Sequence, residues 1–313
     1  MDSPTPPDVA AVTAVREIAL AAGAAAALRL SLIHMNTDPD TLRRLLWLLT
    51  CHGVFEDAGD DRYRHTPSSR LLREDAPRSL RYMVLWATEP WTWAVWPRLD
   101  EAVRNGKGVF TDTFGKEFFT YLHEDAPESA GVFDRAMTQS SALSARAIAA
   151  VLDLSGARRV ADIAGGQGLL LATLLDHNPH LDGVLFDLPD GGSLAGRCRL
   201  APGDCRVSVD VDADVFILKN ILEWDDESTV TALRNVAGSA RPGDRVVVIE
   251  NLVDGSPEMR FTTAMDLLLL LNVDGKKHTR AGLTALVERA GLRVERVAPV
   301  GPYLHLIDSR VAG

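Results

Sequence analysis

From residue 159 onward, short apolar runs alternate with helix-period segments, and no other feature of the chain restricts its fold as much. The runs are 159-RVADIA-164, 183-GVLFDL-188, 213-ADVFILKN-220, 245-RVVVIENLV-253, 292-LRVERVAPV-300 and 303-YLHLIDSR-310. Between them lie a helical pattern after Gly168, an irregular stretch over 191–212, the helix 226-DESTVTALRNVAGSA-240, and a further helix containing 267-LLLLL-271. Nearly continuous apolar strands spaced by helices imply a mostly parallel sheet covered on both faces. The last two runs are joined only across 301-GP-302, too short for a crossover helix, so they are expected to run antiparallel. The expected fold class is therefore α/β.

A chain of 313 residues with 46% apolar content buries a large core and exceeds the usual single-domain length. We expect a helical domain over 1–145 and the sheet domain over 146–313. The formal charge is −10, from 43 acidic and 33 basic residues without a basic run, which argues against a nucleic-acid partner. Cys51, Cys198 and Cys205 show no paired spacing and the start of the chain lacks a leader pattern, so a reduced, cytoplasmic setting is expected. The run 267–271 is far too short to cross a bilayer, so no membrane association is expected.

Residues 1–9, with three prolines, read as a loose arm. The Ala-rich segment 10–30 has high helix propensity; its apolar surface either lies within its own domain or packs on a second copy of the chain. In 38–75, Asp40 or Thr41 is placed to cap a helix carrying Leu42, Leu45, Leu46 and Leu49 on one side. Gly53 ends it and a hairpin around 57-DAGDDRY-63 follows, the pattern of a winged helix. That helix offers only Arg43 and Arg44 as basic groups, so packing and dimerisation are expected of it rather than DNA reading. Residues 78–110 hold Trp86, Trp91, Trp93 and Trp96. These are either core or, together with Phe110, Phe114, Phe118, Phe119 and Met137, the wall of a cavity for a flat small molecule.

The turn 162-DIAGGQG-168 follows a strand and opens a helix, where glycines permit close backbone approach to a ligand. The next strand ends in Asp187, whose carboxylate suits ribose hydroxyls. A pyrophosphate would want the full glycine loop, whereas Asp162 and the acidic surroundings favour a sulfonium or an amino group, which points to S-adenosylmethionine over a nicotinamide dinucleotide.

With 186-FDLPD-190, 213-ADVFILKNILEWDDE-227, 249-IENLV-253 and 265-MDLLLLLNVDGKKHT-279, these elements resemble the class I S-adenosylmethionine-dependent small-molecule O-methyltransferases. Within that class the chain is most similar to the bacterial branch acting on polyketides and other aromatic natural products. The resemblance spans about residue 12 to 310. It implies a Rossmann-like methyltransferase sheet with a terminal antiparallel strand, plus an N-terminal α-helical winged-helix domain that forms an intertwined homodimer. It also implies that Asp162, Gly165, Gly166 and Gly168 contact the methionine part of the cofactor, that Asp187 holds the ribose, that Leu188 lies against the adenine, and that Lys219 sits near the cofactor. The segment from Trp86 to Met137, with Trp86, Trp91, Phe133 and Met137, would wall the pocket for an aromatic or polyketide-like acceptor.

Two departures stand out. The stretch 191–216 is shorter than in the family and lacks a Gly-Asp-aromatic element; Asp204 precedes an expected strand 206-RVSV-209, and Asp210 is the nearest positional substitute. The stretch 221-ILEWDDE-227 lacks the family's histidine and is one residue short, leaving Glu223 and Glu250 as candidate catalytic carboxylates. Asn220, Asp266 and Asn272 are polar candidates for orienting an acceptor, and His278 reads as a surface histidine. No set of ligands has metal spacing, although 210-DVDAD-214 is acidic enough to attract a divalent ion nonspecifically. The expected function is methyl transfer to a hydroxyl, driven chiefly by proximity and orientation. The alternatives are a non-methylating enzyme on the same scaffold (hydroxylation, decarboxylation, rearrangement or cyclisation) or a silent small-molecule binder.

Overall fold

The apolar runs become strands because both of their faces are covered. The structure is a computed structural model that describes residues 21–31, 37–188, 198–255, 259–301 and 303–313. The expectations for the proline-rich arm and for residues 10–20 of the Ala-rich helix lie outside the described residues. The chain divides into two compact units, Met1–Thr92 and Trp93–Gly313.

The first unit contains α1 (Ala21–Leu30), α2 (Pro39–Cys51), β1 (Phe55–Asp57), β2 (Tyr63–His65), α3 (Pro67–Arg70) and α4 (Arg81–Ala87). The cap of α2 is Asp38, not Asp40 or Thr41: its carboxylate accepts from the Thr41 amide at 2.9 Å. Pro39 at the first helical position, which has no amide to satisfy, places the cap one residue before it. Along α2 only Leu49 is buried, while Leu42, Trp47 and Leu48 are exposed. Arg43 is engaged by both carboxylate oxygens of Asp61 on the β1–β2 turn, at 2.8 and 2.9 Å. Trp86 and Trp91 are buried in this unit. Arg29 ties α1 to α4 through the Leu85 carbonyl at 2.8 Å and to the segment just after it through the Glu89 carboxylate at 3.1 Å.

After α5 (Pro90–Val95) come α6 (Leu99–Asn105), α7 (Phe110–Phe114), α8 (Phe118–Glu124) and the 25-residue α9 (Pro127–Val151). The sheet then builds as β3 (Arg159–Ile163), α10 (Leu169–His177), β4 (Asp182–Asp187), β5 (Cys198–Pro202), β6 (Val215–Lys219), α11 (Asp226–Ser239), β7 (Arg245–Glu250), α12 (Met259–Val273), α13 (Arg280–Arg289), β8 (Leu292–Val300) and β9 (Leu304–Val311). Its order is β5-β4-β3-β6-β7-β9-β8. Strands β3 to β7 pair in parallel, and β9 runs antiparallel between β7 and β8.

Successive strand residues feed opposite cores. Ile163, Phe186, Phe216, Leu218, Val246 and Val248 pack with Leu233 and Val236 of α11 and Leu283 and Val287 of α13. Val160, Leu185, Ile217, Val247 and Ile249 pack with Ile148 of α9 and with Leu171 and Leu174 of α10. Each fully buried Leu or Val contributes about 1.5–3 kcal/mol, which explains why β6 and β7 carry almost no polar residue before their last position.

Two further expectations are corrected. The stretch 206-RVSV-209 is not a strand, because the amides of Val207 and Ser208 turn back to the Asp204 carbonyl at 2.9 and 3.0 Å while Cys205 and Val209 close the core. The strand in this region is β5, paired in parallel with β4. The single helix expected between β7 and β8 is two, with Thr279 capping α13 through the Gly282 amide at 3.0 Å.

Candidate active site

The chain leaves β3 towards β4 and β5 on one side and returns to β6 on the other. This reversal opens a crevice at the carboxyl ends of β3, β4 and β6, where ligands bind in open α/β sheets. The turn after β3 lies there. Ala164, Gly166 and Gly168 have φ of +52°, +59° and +74°, and Gly168 is the N-cap of α10. A Cβ on Gly165 would lie 2.5 Å from a Leu185 methyl and 2.6 Å from the Asp162 carboxyl, so this glycine is demanded by packing. A Cβ on Gly166 would meet nothing within 4 Å, so that position faces open space.

Asp162 is only 2% exposed and one of its carboxylate oxygens has no hydrogen-bond partner. Burial pushes it up to about 7; Lys219 pulls the other way and Asp187 adds to the rise. Asp187, ending β4, accepts from the Gly166 amide at 2.6 Å and the Leu188 amide at 2.7 Å. Burial raises it as well, and those two amides oppose the rise. The carbonyl of Asp187 receives the Gly203 amide at 2.8 Å, which brings the Gly203–Asp204 pair beside the end of β4. Asp210 lies elsewhere. It is exposed on the segment entering β6, where the neighbouring Asp212 pairs with Arg159 at the start of β3, so it sits near the amino ends of the strands. Leu188, the residue after β4, is 43% exposed.

The next two strands end in Lys219 and Glu250. Lys219 is held down by burial, partly offset by Glu250, Asp162 and Glu223, and its Nζ donates to the Ser141 hydroxyl of α9 at 3.4 Å. Glu250 receives the amides of Ile221 and Leu222, both at 2.9 Å, on one oxygen, and so fixes the loop that follows β6. Burial, then the nearby Glu223, push Glu250 up to about 7 against Lys277 and the two amides. Asn220 opens this loop at φ +52°, with its side-chain oxygen buried and without a partner. Glu223 forms an ion pair with Lys277, and the Lys276 amide donates to the Glu223 carbonyl at 3.1 Å. Asp266 on α12 accepts the Lys277 amide at 2.6 Å. Burial alone would depress the Lys277 ammonium, but Glu223, Glu250 and Asp266 together lift it above the ordinary lysine value.

The structure thus brings Asp162, Asp187, Lys219, Asn220, Glu223, Glu250 and Asp266 to one end of the sheet. Phe133 belongs to an aromatic cluster with Phe118 and Phe119, at centroid distances of 5.9 and 5.8 Å, and Met137 lies one helical turn further along α9. Asn272 is buried with an unpartnered oxygen and lines a separate cavity with Gly108, Phe110 and Asp274. Trp86 and Trp91 belong to the first unit. His278, expected at the surface, is 6% exposed, because its carbonyl is tied to the Val253 amide at 3.0 Å and the loop folds inward. No local pattern singles out Lys277 in 275-GKKH-278, because its partner is 54 positions away. The one signal was the carboxylate Asp266 among leucines, which requires donors nearby.

A parallel sheet with a single inserted antiparallel strand and acidic groups ending its first two strands is the class I methyltransferase fold. Residues 96–293 match the O-methyltransferase domain family, to which the chain belongs. The chain is 39% identical over 273 residues to the mitomycin biosynthesis 6-O-methyltransferase of Streptomyces lavendulae, covering 83% of this chain and 78% of that protein. It is 32% identical over 275 residues to the aclacinomycin 10-hydroxylase of Streptomyces purpurascens, covering 82% and 73%. The solved structure of the mitomycin 7-O-methyltransferase superposes with a TM-score of 0.86 at 35% identity, over 97% of this chain and 98% of the other.

Proposed function

We propose that the protein transfers a methyl group from S-adenosylmethionine to a hydroxyl of an aromatic or polyketide-derived small molecule. The observation that carries this reading is the buried, half-satisfied carboxylate of Asp162 beside the open backbone at Gly166, with Asp187 ending the adjacent strand. An unpaired buried carboxylate is costly and calls for a cation, which a sulfonium and an amino group supply. In this reading Asp187 receives the ribose hydroxyls, Leu188 covers the adenine, and the turn from Gly165 to Gly168 lies along the methionine part. When bound, the cofactor supplies an electrophilic methyl group. The protein's own side chains orient the acceptor and manage its proton, with Glu223 and Glu250 as the carboxylates at the acceptor side and Phe133 and Met137 as apolar wall.

Calorimetry with S-adenosylmethionine tests the reading, with binding expected for the native chain and a loss of at least about tenfold in affinity for Asp187→Ala. No heat for the native chain refutes it. A second reading, hydroxylation without methyl transfer, is favoured by the carboxylate rather than histidine on the 220–225 loop and by the similarity to a 10-hydroxylase. It predicts product formation with uptake of dioxygen and of two electrons from an added thiol reductant, the second oxygen atom leaving as water, and no S-adenosylhomocysteine. We further infer a homodimer formed through the first unit, supported by the exposed Leu42, Trp47 and Leu48 of α2, which light scattering tests. A reducing, cytoplasmic setting fits three cysteines that are all free.

A further inference from the structure

The Glu223–Lys277 pair is built unlike a surface ion pair. Lys277 has 7% of its side chain exposed and Glu223 has 20%, so the pair opens on the carboxylate side with the ammonium behind it. Four charged groups face Lys277: Glu223 from the loop after β6, Lys219 from the end of β6, Glu250 from the end of β7 and Asp266 from α12. Its neighbours Lys276 and His278 turn instead to Asp226 at the start of α11. Gly275 is forced by this arrangement, because a Cβ there would collide with the Glu223 carbonyl. Lys277 is thus fixed at both ends: its amide on Asp266 and its ammonium on Glu223.

A carboxylate alone is a poor base for an ordinary hydroxyl on an aromatic ring. Phenols ionise near pH 10 and carboxylic acids near pH 4, a gap of about six units, or roughly a millionfold against the transfer. A hydroxyl conjugated to a carbonyl removes most of that gap. A buried ammonium, in turn, accepts one oxyanion in place of another without changing the net charge around it, provided the displaced carboxylate takes up a proton.

We propose that Lys277 determines acceptor specificity: its ammonium takes the acceptor oxygen as an oxyanion in exchange for the Glu223 carboxylate, so the site selects acidic hydroxyls of the vinylogous-acid type, such as hydroxyquinones. For an acceptor arriving protonated, its O–H bond breaks and a Glu223 O–H bond forms, and the electron pair stays on the acceptor oxygen beside Lys277. For one arriving as the anion, Glu223 takes its proton from solvent. The inference rests on the acceptor side of the methyl-transfer reading and adds the class of acceptor.

The test compares 2-hydroxy-1,4-naphthoquinone with 2-naphthol, two bicyclic hydroxyls of similar size, binding to the full chain without cofactor and followed by absorbance and calorimetry. The native protein is expected to bind the hydroxyquinone as its anion at least about 100-fold more tightly than the naphthol. Binding of the anion should be accompanied by proton uptake, so that affinity falls as pH rises. Lys277→Arg should keep the preference and Lys277→Met should lose it. Glu223→Gln leaves the lysine in place, and should bind the anion more tightly with no proton uptake; it carries the test if Lys277→Met does not fold. Equal affinities, failure of both probes to bind, a preference that survives in folded Lys277→Met, or proton uptake that persists in Glu223→Gln each overturn the proposal. S-adenosylmethionine calorimetry on the same samples is independent of Lys277, so loss of that heat in the native chain condemns methyl transfer, whereas failure with the hydroxyquinone condemns only the role of Lys277.

Discussion

Replacing Asp162 by Asn should make the cofactor-free protein more stable, and increasingly so as pH rises. The carboxyl is 2% exposed and its folded value is about 7, against an ordinary 3.8. A raised acid holds its proton longer in the folded than in the unfolded chain, so its contribution is intact below about pH 4. It is lost progressively as pH rises towards about 7, and is constant above that. The full difference is about three units, or about 4 kcal/mol. Between about pH 5 and about pH 8 the native chain should lose about 2–3 kcal/mol that Asp162→Asn does not. Glu250 titrates in the same window, since it too is raised to about 7, but it is present in both proteins and cancels in their difference. Urea unfolding of both proteins at the two pH values measures the effect. The same variant should bind S-adenosylmethionine at least about tenfold more weakly, because the charge that answers the cation is gone. A stability difference that stays flat with pH, or a native chain more stable than the variant at about pH 8, refutes the idea that Asp162 is a desolvated carboxyl waiting for a cation.

The two neighbouring glycines should separate packing from binding. Gly165→Ala must displace Leu185 or the Asp162 carboxyl and should cost about 1–3 kcal/mol in chemical denaturation, whereas Gly166→Ala, with φ +59° in open space, should cost about 1 kcal/mol yet weaken cofactor binding at least tenfold by calorimetry. Leu233→Ala, fully buried between α11 and the sheet, should cost about 2–5 kcal/mol. Thiol labelling at about pH 8 should modify the exposed Cys51 in the native chain and leave Cys205, whose thiol burial pushes up to about 12, unreacted until the protein unfolds.

Sequence alone determined what depends on local pattern. The apolar runs at 159, 183, 213 and 245 are strands because a strand buried on both faces must be apolar almost throughout, and that is visible residue by residue. The Gly-Pro connection dictated an antiparallel end to the sheet, and the glycine turn and Asp187 were legible as the ends of adjacent strands. Tertiary structure alone decided what depends on partners distant in the chain. Nothing local places β9 between β7 and β8, turns Gly203–Asp204 towards Asp187 while leaving Asp210 near the opposite ends of the strands, or buries His278. The pairing of Glu223 with Lys277, and the amides of Ile221 and Leu222 on Glu250, join separate loops across the sheet end. The physical reason is that the charge state of a carboxylate or an ammonium follows from desolvation and from the groups facing it. Both are properties of the packed chain, whereas periodicity and turn chemistry are written along it.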